Sequence, residues 1–278
     1  MCNIINQHPC FNDAAHFRWG RVHLPVAPKC NLRCNYCSRG INNSTENRPG
    51  ICKKVLSTKE AIELLQNTLR EKLFPIKVVA IAGPGEPLFN HETFEVMKIL
   101  KEDFPHLIRC IATNGILLAD KIELLTSLDV NTITVTICAI DPKIGKWIYD
   151  YISIDGKIYS GEEGAAVLIE KQIQGLKAAV TNGISVKVNT VLIPEINTDH
   201  IIDVARLCKL IGVEIMNIMP LIPIGRFKNM RRPTKDELTY IRDICSSYIR
   251  QFRFCKQCRA DACGIPGGKD GILGSTCF

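Results

Sequence analysis

A chain of 278 residues, 46% hydrophobic and with a formal charge of +7, can bury one large core and suits a single α/β barrel-type domain. The modest charge makes no case for a nucleic-acid partner. Nothing resembles a signal peptide, and no apolar run reaches the roughly 20 residues of a membrane-spanning helix. A cytoplasmic protein is therefore expected, where closely spaced cysteines serve metals or catalysis more often than disulfides.

Residues 1–19 have little periodicity and read as an extended arm whose notable features are His8-Pro9-Cys10 and His16. Residues 21–27 read as a strand that runs through Pro28 into Cys30, Cys34 and Cys37. A polar loop reaches Pro49-Gly50, and Ser57 with Glu60 forms a capping box that opens a helix to residue 73. Residues 77–82 are a short, continuously apolar strand of the kind buried on both faces. It ends in Gly83-Pro84-Gly85-Glu86-Pro87, and a helix follows over 91–102. Strand 107–112 leads to Thr113-Asn114-Gly115 and a helix over 120–128. Strand 131–139 is followed by an insertion-like stretch, 143–161, and a helix over 162–181. Strand 184–193 pairs with a helix over 198–211, and strand 213–219 with a helix over 234–250. Six strand–helix units predict an α/β fold in which right-handed crossovers curl a parallel sheet into a partial (β/α)6 barrel. Cysteine-bearing extensions flank it: an arm over 1–19, the barrel over 20–251 and a C-terminal segment over 252–278.

Reactive loops of such barrels sit at the carboxyl ends of the strands. The loops after strands one, two and three therefore share one rim. At this cysteine content the spacing Cys30-x3-Cys34-x2-Cys37 arises by chance only about 0.04 times in a chain of this length. Three thiolates on a four-iron cube leave one iron open, as catalytic metal sites do; a zinc site with a remote fourth ligand is the alternative. Glycines at 83 and 85 let backbone approach a ligand closely, and Glu86 accepts from a cation. Cys255-x2-Cys258 alone is weak, because about 0.7 such pairs arise by chance. With Cys263, Cys10, His8 and Cys110, however, soft donors exceed the need of one cluster. Cys208 and Cys245 lie in helical patterns and read as core, and Cys138 is left open. The basic run 226–232 reads as a solvated loop or a partner-docking surface, not a nucleic-acid patch.

The cysteine triplet, with Tyr36 before its last member and a Gly/Glu loop one strand later, resembles the radical S-adenosylmethionine (SAM) superfamily. The resemblance implies a [4Fe-4S] cluster bound by Cys30, Cys34 and Cys37, with SAM on its open iron. It further implies that Gly83, Gly85 and Glu86 hold the methionine amino end, with Tyr36, Thr113 and Asn114 beside the cofactor. Asn189 is then expected at the ribose, and Ile218 and Met219 at the adenine. His8-Pro9-Cys10, the 26–30 and 46–50 stretches, the 82–88 loop, Thr113-Asn114-Gly115 and the 255–262 segment together resemble the NifB family of nitrogenase cofactor-biosynthesis proteins. This implies two auxiliary [4Fe-4S] clusters as substrates, fused with insertion of a SAM-derived carbon into an eight-iron precursor. It implies His8, Cys10, Cys52, Cys110, Cys255, Cys258 and Cys263 as ligand candidates, and Glu46 and Arg48 as catalytic residues. Where the family pattern has a further cysteine, this chain has Asn43, and Cys52 is the expected stand-in. The implied partners are a cluster donor, a cofactor-maturation acceptor and an electron donor such as ferredoxin or flavodoxin, with no membrane and a monomeric chain. Two alternatives are another radical SAM enzyme with auxiliary clusters, acting on a peptide or small molecule, and a non-enzymatic iron–sulfur carrier or zinc module.

Overall fold

The computed structural model of the chain describes residues 2–42, 46–268 and 275–276. Its frame is six strands: β1 (Gly20–His23), β2 (Ile76–Ile81), β3 (Ile108–Thr113), β4 (Thr132–Thr136), β5 (Ser185–Leu192) and β6 (Ile215–Pro220). Neighbours in sequence are neighbours in the sheet, and every pair is parallel. The crossovers contain α1 (Thr58–Glu71), α2 (His91–Asp103), α3 (Ile122–Ser127), α4 (Gly161–Thr181) and α5 (Ile201–Ile211), and α6 (Lys235–Ser246) follows β6. Ser57 and Glu60 close a capping box on α1, and Thr234 and Glu237 do so on α6, each satisfying amides that a helix start leaves bare.

Each strand divides its side chains between two faces. Val79, Ile81, Ile111, Ile133, Val188 and Met216 point outward into the core shared with the helices. The alternate residues, Arg21 and His23, Ala80, Cys110, Thr134 and Thr136, Lys187 and Asn189, line one cavity instead. A closed barrel fills its centre with large branched residues. Small and polar residues at those positions leave this centre open, and a single cavity reached from all six strands requires the sheet to curl.

Six strands leave bare edges at β1 and β6. The C-terminal segment spans them. At one end Gln251 bridges Met216, and the Phe252 amide donates to the Met216 carbonyl at 2.8 Å. At the other, β7 (Ala262–Gly264) pairs antiparallel with β1, and β8 (Ser275–Thr276) pairs with β7. The N-terminal residues do not form the expected extended arm. They fold back through short helices, Cys2–Ile5 and Asp13–His16. Ile4 packs on Val78, Ile108 and Cys110, and Phe11 on Ile215 and Phe252. These contacts fall at irregular intervals, so no period announces them.

The stretch over 143–161 is likewise ordered, as a helix (Pro142–Ile148) and a hairpin (Tyr149–Ile154 with Lys157–Ser160). The hairpin turns on Asp155-Gly156, both at positive φ as a two-residue type I′ turn requires. Its first strand pairs with Leu32–Cys34 and so holds the cysteine loop. Among the described residues, no helix is long and apolar enough to cross a membrane.

A buried ion pair fastens the C-terminal segment. Arg259 Nε lies 2.8 Å from Asp261 Oδ1, the two side chains being 4% and 0% exposed. Asp261 accepts from the Lys53 amide at 2.6 Å, Arg259 Nη1 donates to the Glu46 carbonyl at 2.9 Å, and the Ala260 amide donates to the Ile51 carbonyl at 2.8 Å. Replacing Asp261 by Ala takes the carboxylate away from a buried guanidinium. Urea unfolding is expected to register a loss of about 3–5 kcal/mol; a loss below about 1 kcal/mol would mean the pair fastens nothing.

Candidate active site

The cysteine loop and the glycine loop run side by side. The Gly85 amide donates to the Ala27 carbonyl at 2.6 Å and the Glu86 amide to the Lys29 carbonyl at 2.8 Å. A Cβ on Gly85 would stand 2.2 Å from the Lys29 carbonyl oxygen, so only glycine permits this approach. Asn90 locks the pair, donating to the carbonyls of Lys29 (2.9 Å) and Glu86 (2.7 Å) and accepting from the Lys29 amide (3.1 Å). Cys30, Cys34 and Cys37 thereby come to one wall of a cavity of about 300 Å³. Beneath the loop, Cys138 Sγ is 3.6 Å from the Tyr36 hydroxyl, and the Cys138 amide donates to the Tyr149 hydroxyl at 3.1 Å. Cys138, open from the sequence, is thus a buried packing thiol. Cys208 and Cys245 lie in the main core, as read from their helical patterns.

Glu86 ties the rim loops together. Its carboxylate accepts from the amides of Leu88 (3.0 Å) and Asn114 (2.6 Å) and from Thr113 Oγ1 (2.5 Å). Burial raises its pKa to about 7 despite these three donors. Asn114 Nδ2 reaches back to Asn31 Oδ1 at 2.9 Å, in the cysteine loop. Across the cavity, Asn189 Oδ1 accepts from Asn217 Nδ2 at 2.9 Å.

A second group of soft donors lies deeper. His8, Cys10, Cys110, Cys255 and Cys258 all line the same cavity. His8 Nδ1 accepts from the Cys10 amide at 3.1 Å, leaving Nε2 buried with no partner. Arg21 Nη2 donates to Cys258 Sγ at 3.0 Å, and Lys187 Nζ to the Cys10 carbonyl at 3.0 Å. Burial pushes the Cys10 and Cys30 thiols up to about 11 and that of Cys34 well above the ordinary value. Thiols that resist ionisation when bare would release their protons only on meeting a soft metal. Among the described residues, no three His, Cys, Asp or Glu side chains gather closely enough to hold one metal ion.

Of the expected rim residues, Tyr36, Gly85, Glu86, Thr113, Asn114, Asn189, Met219 and Arg48 line the cavity. Four others do not. Gly83 stands behind the loop, where a Cβ would meet Ala260 at 3.5 Å. Ile218 points outward into the main core, because adjacent strand residues face opposite sides. Glu46 is exposed and reaches the site only through Arg48 Nε at 2.7 Å. Cys52 is fully buried, its thiol raised to about 11 first by burial and then by Asp261. Asn43, for which Cys52 was the expected stand-in, lies outside the described residues. Cys263 requires a correction as a ligand candidate. It pairs in register with Val22 in the outward core and is disulfide-bonded.

Among the cavity residues that escaped the sequence reading are three with basic side chains, Arg21, His23 and Lys187. Their signal was alternation, polar residues at every second place of apolar strands. His23 Nδ1 lies 2.9 Å from the Arg259 carbonyl, which can only accept, so Nδ1 holds the proton and Nε2 keeps its lone pair.

A profile of the Radical SAM superfamily matches residues 24–208. The FeMo cofactor biosynthesis protein NifB of Methanocaldococcus infernus is 49% identical over 264 residues, covering 95% of this chain and 87% of that protein. The protein of the same name from Chlorobaculum tepidum is 42% identical over 267 residues, covering 95% of this chain and 62% of that protein. Among solved structures, Streptococcus suis SuiB bound to S-adenosylmethionine aligns with a TM-score of 0.61 at 14% identity, over 86% of this chain and 51% of that one. A radical SAM methyltransferase from Sphaerobacter thermophilus aligns with a TM-score of 0.55 at 19% identity, over 84% and 64%. These two likenesses concern the fold.

Folded Glu86 holds its proton to about pH 7, whereas the unfolded chain releases it near 4.5. The stability it contributes is therefore full below about pH 4.5 and lost as pH rises through 7, on the order of 3 kcal/mol in the ligand-free protein. Urea unfolding at pH 5 and pH 8 is expected to show this fall in the wild type and not in Glu86→Gln. An equal fall in both would assign the slope elsewhere.

Proposed function

We propose a function on the strength of kinship: the chain belongs to the radical SAM superfamily and, within it, to the family of the FeMo cofactor biosynthesis protein NifB. It is a radical SAM enzyme, of a superfamily that works with a [4Fe-4S] cluster and SAM, and its role lies in nitrogenase cofactor biosynthesis. We infer the reaction to be fusion of two [4Fe-4S] substrate clusters with insertion of a SAM-derived carbon, giving a carbide-containing eight-iron precursor. The observation that supports it is two separate sets of soft donors facing one cavity.

The donor chemistry fits. Cys30, Cys34 and Cys37 would hold three irons of the resident cluster and leave the fourth to SAM. When bound, that cluster supplies the electron for cleavage of the sulfonium. Glu86 would receive the methionine ammonium, giving up its own proton as the cation arrives. Asn189 would meet the ribose and Met219 the adenine, with Tyr36, Thr113 and Asn114 fixing the loops around them. His8, Cys10, Cys110, Cys255 and Cys258 would hold the substrate clusters, joined by the free nitrogen of His23. Arg48, anchored by Glu46 and by the carbonyl of Ser38, would stand beside Cys37 and position the reacting end. A product this large must leave for an acceptor, so cluster-donating, cluster-accepting and electron-donating proteins are the partners this reading requires.

Anaerobic reconstitution tests it. Iron is expected near twelve per chain, on the order of four for each of three cubes. Reduction with SAM present is expected to release both S-adenosylhomocysteine, from methyl transfer, and 5′-deoxyadenosine, from hydrogen abstraction. Loss of either product overturns the proposed carbon insertion.

A further inference from the structure

Arg21 and Lys187 are inward-facing residues of β1 and β5 and are 1% and 5% exposed. Neither has a carboxylate oxygen within 4.0 Å among the described residues. Of the other buried guanidinium groups among the described residues, Arg259 has Asp261 and Arg48 has Glu46, whereas Arg109 donates to the carbonyls of Asp129 and Leu107. Arg21 gives one Nη to the Gly264 carbonyl at 2.6 Å and the other to Cys258 Sγ at 3.0 Å, and its Nε is buried without a partner. Lys187 has the Cys10 carbonyl and the faces of Phe11 and Phe252, 5.0 and 5.6 Å from their centres. The carbonyls and rings among these partners are neutral, and the remaining one is a cysteine sulfur. Buried charges of one sign with nothing to balance them are costly, and the groups around these two are metal donors rather than acids.

We propose that Arg21 and Lys187 are the counter-cations of the iron–sulfur substrate, two fixed charges that decide how tightly the anion is kept at the inner end of the cavity. An iron–sulfide core ligated by several thiolates is a net anion, and hydrogen bonds to its sulfurs tune both affinity and potential. Arg21 already donates to one candidate ligand sulfur. Lys187 is held over two rings and against the backbone of another candidate, Cys10. They are positioning residues that act through the ligands. The proposal rests on the reading that the terminal cysteines hold such a substrate.

The test uses the full chain with Cys30, Cys34 and Cys37 replaced by Ala, so that only the inner donors can take up iron. In that background Lys187→Met keeps the aliphatic stem on its two rings and removes the charge, and Lys187→Arg keeps the charge. Arg21→Gln and Arg21→Lys make the same contrast. After anaerobic loading with ferrous iron and sulfide, competition with a chelator gives the affinity and a redox titration the midpoint potential. Lys187→Met and Arg21→Gln are each expected to weaken iron retention about 10–100-fold and to shift the potential negative, while the charge-keeping variants stay within about threefold of the parent. Iron-free Lys187→Met is expected to melt above its parent, because an unbalanced buried cation is gone. Unchanged retention and potential in the charge-removing variants would overturn the proposal. So would a Lys187→Arg variant as weak as Lys187→Met, or a lower melting temperature for iron-free Lys187→Met, since either means packing. A parent that retains no iron would instead overturn the reading of the terminal donors, and the proposal with it.

Discussion

Six parallel strands cannot close on themselves, and each open edge presents unpaired amides and carbonyls that must find partners. Here the partner is the chain's own C-terminal segment, which leaves β6 at Gln251 and arrives antiparallel on β1 at Ala262. Most of what distinguishes the site follows from that crossing. Cys255 and Cys258 lie between its two anchors, so they enter the cavity on a strap fixed at both ends instead of on a tail. The buried Arg259–Asp261 pair then fastens the strap to the 46–53 loop, which flanks the cysteine triplet. Edge pairing, the delivery of two cysteines to the cavity and loop order are one structural problem with one solution.

The same economy of strands explains why there is a cavity at all. A barrel centre stays empty only if its inward residues are too small or too polar to fill it. Ala80, Ala112, Thr134 and Thr136 are small; Arg21, His23, Lys187 and Asn189 are polar. Their alternation with Val22, Val79, Ile133 and Val188 lets the helix-facing core pack fully while the other face stays open. Stability is drawn from the outer face and chemistry from the inner one.

Much of this was legible in the residues. The capping box at Ser57, the apolar strand before Gly83 and the cysteine spacing each have a local cause, so strand order and the shared rim could be read. What failed to show was which way a side chain faces. Ile218 and Met219 are chemically alike and adjacent, yet only one turns inward, and a one-residue uncertainty in register exchanges them. Cys263 has the right donor atom on the wrong face of β7. The 143–161 stretch carried its hairpin signal openly in Asp155-Gly156. Arg21 and Lys187 were hidden because charges in apolar strands read as interruptions until the cavity explains them.

The cavity also sorts ligands by sign. Glu86 follows the end of β2, whereas Arg21 sits at the level of Val78 near its start, and Lys187 turns its Nζ to the Cys10 carbonyl among the inner donors. Three or more strand residues separate those levels, about 10 Å at 3.3 Å per residue. Charges that far apart cannot pair directly and act as separate poles. On the proposed reading, an ammonium or sulfonium would be drawn to Glu86 at the rim, which gives up its proton to meet it, and an anion to the pair of cations beneath. Were both poles at one level, they would pair with each other and neither ligand would be favoured. Strand length keeps them apart, and two reactants of opposite charge can then occupy one cavity while meeting between its ends.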